Sequence, residues 1–74
     1  MTDIMQKLGD LAFYLKFGRI SKDYFGFTPT WIYQRIGGVD GNGKPCEFTP
    51  EQKAIFKDAL HDIARKIDNV ADSI

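Results

Sequence analysis

Apolar residues recur at helical spacing along most of this chain. Ile4, Leu8, Leu11 and Leu15 step by four, three and four, with Met5 and Ala12 beside them. That is the period of one face of an amphipathic helix. It predicts a first helix over 3–17, with Thr2 as N-cap and Gly18 as its stop. Gly9 inside the pattern costs about 1 kcal/mol relative to Ala and points to close packing against another helix. A second, short helix is expected over 19–25, with Ile20, Tyr24 and Phe25 inward. Gly26 then supplies a turn residue that tolerates positive φ. A third helix opens at Thr28, a capping residue, with Pro29 at a position whose N–H needs no intrahelical partner. Trp31, Ile32 and Ile36 form its apolar side, and Gly37 and Gly38 end it.

The fourth helix, expected over 50–72, is the plainest. Thr49-Pro50-Glu51-Gln52 carries a capping box of Thr49 with Gln52. Phe56, Leu60, Ile63, Ile67, Val70 and Ile74 follow at steps of four, three, four, three and four. The stripe has a period near 3.5, Ala59 and Ala64 flank it, and Asp62 to Lys66 is a favourable pair on the outer face. Between the third and fourth helices, Asp40-Gly41 and Asn42-Gly43 are strong turn pairs that allow a tiny hairpin at 39–47. Pro45 limits any strand after it. The expected fold is all-α: one four-helix domain over residues 1–74, with the outer helices supporting a short central pair.

Length changes the picture by making the core marginal, since 74 residues lie near the lower limit for an unassisted domain. Six Phe, three Tyr and one Trp supply the bulk that so short a chain needs. The apolar content argues against disorder. No stretch is apolar enough to span a membrane, and the N-terminus lacks the basic-then-apolar order of a signal peptide. One cysteine, Cys46, excludes a disulfide framework within one chain. These features predict a reduced, cytoplasmic protein without a membrane partner. Net charge is zero, but it is spread unevenly. Residues 16–44 hold five bases against two acids, an excess of +3, while 1–15 carry −1 and 45–74 carry −2.

The positive excess coincides with residues 19–38, which resemble the Cro and repressor type of helix-turn-helix, a device that places a helix in the DNA major groove. Phe25, Gly26, Phe27 and Ile32 carry that resemblance. The small residue such repressors place four before the turn glycine is here one step earlier, at Ser21, with Lys22 in its place. Arg35 likewise precedes the apolar Ile36, so the pattern is slipped by one residue. The chain as a whole also resembles short uncharacterised proteins of gut bacteria and their mobile elements. Ile20, Ser21, Phe25, Gly26, Trp31, Arg35, Gly38 and the Phe48-Thr49-Pro50-Glu51 run carry this second resemblance.

The repressor resemblance implies a small DNA-binding regulator that acts without a cofactor, commonly as a homodimer on two half-sites. Thr28, Thr30, Tyr33 and Gln34 would then face double-stranded DNA, Gln34 reading adenine. Arg19, Lys22 and Arg35 would hold phosphates. The competing reading is an αα corner with those residues solvated, in a protein-interaction or accessory module that works through the apolar stripe of the fourth helix. That stripe either packs fully on the first helix or overhangs at Val70 and Ile74 and pairs with another chain. Trp31 is expected in the core rather than free for stacking.

Enzyme chemistry finds little support in the residue pattern. Cys46 and His61 are the only thiol and imidazole, their spacing predicts no nucleophile–base pair, and two ligands do not make a zinc site. His61 is expected at the solvent edge of the fourth helix, and Asp58 and Asp62 on its solvated face. A calcium loop starting at Asp40 would put Lys44 at a ligand position and Pro45 where glycine is required, so the segment reads as a turn.

Overall fold

The structure, a computed structural model, describes residues 3–74. Four helical segments make a small all-α domain. The first, α1 (Asp3–Leu8), runs into a 3₁₀ turn, Gly9–Phe13. The second, α2 (Phe17–Ile20), runs into a π turn, Ser21–Phe25. They are followed by α3 (Pro29–Gly37) and the 24-residue α4 (Pro50–Ser73). The tiny hairpin reduces to one antiparallel bridge, Val39 to Pro45, across the turn at 40–44. Asp40 closes that turn, its Oδ1 accepting the Asn42 and Lys44 amides at 2.8 and 3.0 Å. The proposed cap at Thr2 lies outside the described residues.

The first helix is shorter than its apolar period suggests. Gly9 adopts φ +51°, which no α-helical residue does, so the α-helix ends and the chain tightens into 3₁₀ geometry. Leu11 consequently leaves the inward face and is exposed. Gly9 is not the close-packing glycine either, because a Cβ there would meet nothing within 4 Å. That role falls to Gly18, which lies inside α2 rather than stopping a helix. A Cβ on it would sit 3.2 Å from both Cβ and Cγ of Pro29, so the absence of a side chain lets α2 and α3 approach.

The junction between those helices is a local device. Gly26 takes φ +75°, and its N–H bonds to the Lys22 carbonyl at 3.2 Å while the Phe27 N–H reaches Ser21 at 3.1 Å. Each bond spans one residue more than in a Schellman closure, whose amides reach back three and five residues rather than four and six. A π turn holds one residue more than the equivalent α turn, and that extra residue accounts for Ser21 standing five rather than four residues before Gly26. Ser21 rather than Lys22 is the fully buried small residue. Its Oγ donates to the Thr28 carbonyl at 2.6 Å. Thr28 is the extended residue ahead of α3 but makes no side-chain cap. At α4 the full capping box forms, Gln52 N to Thr49 Oγ1 at 3.2 Å and Thr49 N to Gln52 Oε1 at 2.9 Å.

The core is Leu8, Phe17, Ile20, Ile32, Ile36, Phe48, Phe56 and Ala59. An aromatic file runs through it: Phe25 stacks on Phe48 at 5.8 Å and Phe48 on Phe56 at 5.3 Å. Trp31 is half-buried against Phe25, Phe27 and Phe48, as a core anchor should be. Phe27, an inward position if the repressor resemblance held, lies on the Trp31 ring with about half its surface open. Helix α1 packs on α3 and α4 packs on the π turn. A cleft of about 550 Å³ opens between α1 and α4, floored by Leu8, Phe56 and Leu60.

Candidate interaction surfaces

Two surfaces stand out, one on α3 and one on α4. On α3, Ile32 and Ile36 bury one side, which turns Thr30 and Tyr33 outward, with exposed Thr28 at the head. Tyr33 meets the Phe17 ring edge-on at 6.1 Å but keeps half its surface in solvent. Arg19 and Lys22 are exposed on the preceding segment. Arg19 is already occupied, because its Nε lies 2.6 Å from Asp23 Oδ2.

Gln34 and Arg35 do not share the outward face. Gln34 is half-buried, with its amide nitrogen beside Gly41 of the 39–47 turn. The Arg35 guanidinium lies over the Trp31 ring at 4.4 Å, a cation–π contact. It also donates to the Trp31 carbonyl at 3.2 Å, while its Nε is buried without a hydrogen-bond partner. To reach a phosphate, Arg35 would have to leave both contacts. Of the seven residues singled out on the sequence, Thr28, Thr30, Tyr33, Lys22 and Arg19 are open, and Gln34 and Arg35 are folded back.

The second surface is the distal half of α4. At 1.5 Å per residue a 24-residue helix is about 36 Å long, and only its first half meets the core. Phe56 and Ala59 are buried, and Leu60 and Ile63 pack against the core. Every residue over 64–74 is exposed. Ile67, Val70 and Ile74, which continue the stripe, are 58%, 61% and 100% exposed. The stripe therefore does not pack fully on the first helix. Phe13 and Tyr14 are also largely exposed, and Tyr14 lines a groove of about 300 Å³ with Leu15, Ile63 and Ile67.

The point where α4 leaves the domain is fixed by a polar cluster. The Tyr24 hydroxyl donates to Asp62 Oδ2 at 2.6 Å. Lys66 Nζ pairs with the same oxygen and Arg65 with Oδ1, both at 3.1 Å. The Tyr24 hydrogen bond, then Lys66 and Arg65, hold the Asp62 carboxyl down to about 2, while contact with that carboxylate raises Tyr24 and Lys66. Asp62 thus faces the π turn and is half-buried, not one of two idle surface acids. The Asp62–Lys66 pair was legible as an i,i+4 spacing, but Tyr24, 38 residues away, left no signal. His61 is exposed and Cys46 half-buried.

Among the described residues no helix is long and apolar enough to cross a membrane. Neither the curated proteins nor the solved structures provide a match. Residues 4–74 match the family model described as Domain of unknown function (DUF5053), and the chain belongs to that family.

Proposed function

We propose that this member of the family is a non-enzymatic protein-interaction module whose binding surface is the distal half of α4. The observation that carries this reading is the exposed run of 64–74 with Ile67, Val70 and Ile74 on one face. Three branched aliphatic side chains kept in water on one helix face forgo about 1.5–3 kcal/mol each relative to full burial. Exposed apolar patches of this kind mark interaction sites. The polar cluster around Asp62 favours the same reading, because it fixes the direction in which the helix projects.

A second reading, a DNA-binding helix-turn-helix, keeps one specific support. The left-handed turn at Gly26 is followed by Thr28, Thr30 and Tyr33, exposed at the head and outer face of α3, with Lys22 exposed before it. Against it stand the half-buried Gln34, which is turned from the outward face, and the engaged Arg19 and Arg35, which leave few cations to neutralise phosphates.

A photoreactive phenylalanine analogue at Val70 or at Thr30, in cells making the protein, separates the two. The interaction reading expects an adduct at Val70 that protease destroys and nuclease does not, and no such adduct from the same label at Asp58. A nuclease-sensitive adduct at Thr30 with none at Val70 would replace it with the DNA reading.

A further inference from the structure

We infer that the occupant of this surface is a second copy of the chain, with the two α4 helices antiparallel and the distal end of each seated in the Tyr14–Ile63–Ile67 groove of the other. The inference rests on the reading of distal α4 as a binding surface and adds the identity and orientation of the partner.

Surface area is the first argument. A compact monomer of 8.4 kDa exposes about 4,600 Å², whereas this chain exposes 5563 Å². The excess of roughly 900 Å² is close to the ~800 Å² that each partner contributes to a standard interface.

Self-complementarity is the second. One helix supplies both a groove wall, Ile63 and Ile67, and an apolar plug, Val70 and Ile74. An antiparallel two-fold pairing sets Ile67 opposite Val70 of the second copy and Ile63 opposite its Ile74. Both contacts then occur twice, as a two-fold interface requires. The same register brings Ala64 against Ala71 of the second copy, and side chains that small let the helices approach closely.

Charge is the third argument. The groove rim carries Lys16, with Arg19 paired to Asp23 and Lys66 to Asp62, three bases against two acids and a net +1. The last eight residues of the chain hold Asp68 and Asp72 and no base. Antiparallel pairing places this acidic end on the basic rim. Parallel pairing would instead set the two acidic ends side by side, away from the basic rim.

Sedimentation equilibrium from micromolar to millimolar concentration tests the partner. The wild-type chain should reach twice 8.4 kDa, and V70E/I74E should stay monomeric while keeping the circular dichroism and melting that the wild type shows at dilutions where it too is monomeric. Orientation is read by oxidative cross-linking in a Cys46→Ala background. Mixed Ala64→Cys and Ala71→Cys chains should form a heterodimeric disulfide, and Ala71→Cys chains alone should not. Disulfides between two Ala71→Cys chains would overturn the antiparallel pairing and leave α4 as a protein-binding surface. A wild-type chain monomeric at millimolar concentration would overturn self-association, while the Val70 adduct in cells independently decides whether α4 binds any protein.

Discussion

Ser21 is the one buried polar side chain among the described residues, and its hydroxyl, donated to the Thr28 carbonyl at 2.6 Å, ties the π turn to the start of α3. Ser21→Ala should lower stability by roughly 0.5–1.5 kcal/mol, the usual net worth of such a bond. Ser21→Leu should cost about 1–3 kcal/mol through overpacking. Urea unfolding reads both, and a Leu variant as stable as wild type would contradict the burial. The sequence pointed to a small residue here but could not say why it stood one place early, because side-chain periodicity carries no trace of a π turn until the backbone bonds are seen. Asp62 makes the second residue-scale prediction. Its carboxyl is depressed from 3.8 to about 2, so the stability it contributes is complete above its unfolded value and lost as pH falls through the folded one. The unfolding free energy should therefore drop between about pH 4 and pH 2. Asp62→Asn should flatten that drop, since an amide can still accept from Tyr24 but does not titrate, and an unchanged acid limb in that variant would contradict the assignment.

At the scale of elements, α3 and α4 were legible because their starts are written in local chemistry. Thr28-Pro29 and Thr49-Pro50 precede helices, and the Thr49–Gln52 box closes as its spacing requires. The first helix was misread for the opposite reason. Its period continues through Leu11 and Leu15, but Gly9 turns to positive φ, and nothing in the local pattern favours that over an α-helical glycine. The roles of Gly9 and Gly18 were exchanged as a result, since only the fold shows that Gly18 faces Pro29. Gly18→Val should destabilise by about 1–3 kcal/mol, visible as a lower melting temperature, because its Cβ would press on the Pro29 ring at 3.2 Å. Unaltered melting would mean that α2 and α3 sit further apart than the structure has them.

At the scale of the molecule, the radius of gyration is 13.1 Å and the extents 45 × 25 × 19 Å, against about 11 Å for a compact chain of this length. The protruding half of α4 accounts for the difference. The stripe that makes it apolar was legible as a period near 3.5, but whether it had a surface to lie on was not, because that depends on how far α1 extends. The α3 surface was legible only in part. Thr30 and Tyr33 face outward as their spacing requires, whereas Arg35 folds onto Trp31 and Gln34 sits beside the turn at Gly41. The central claim is that the end of α4 has no support from its own fold and is completed by a protein partner. A free helix of about eleven residues is marginal in water. Amide hydrogen exchange on V70E/I74E, compared with the wild-type chain at high concentration, tests this most directly. Amides over 66–73 should exchange far faster than those over 55–60 in the variant and gain protection in the wild type. Equal, core-like protection of both segments in the variant would show that the fold alone holds the helix, and would contradict the claim.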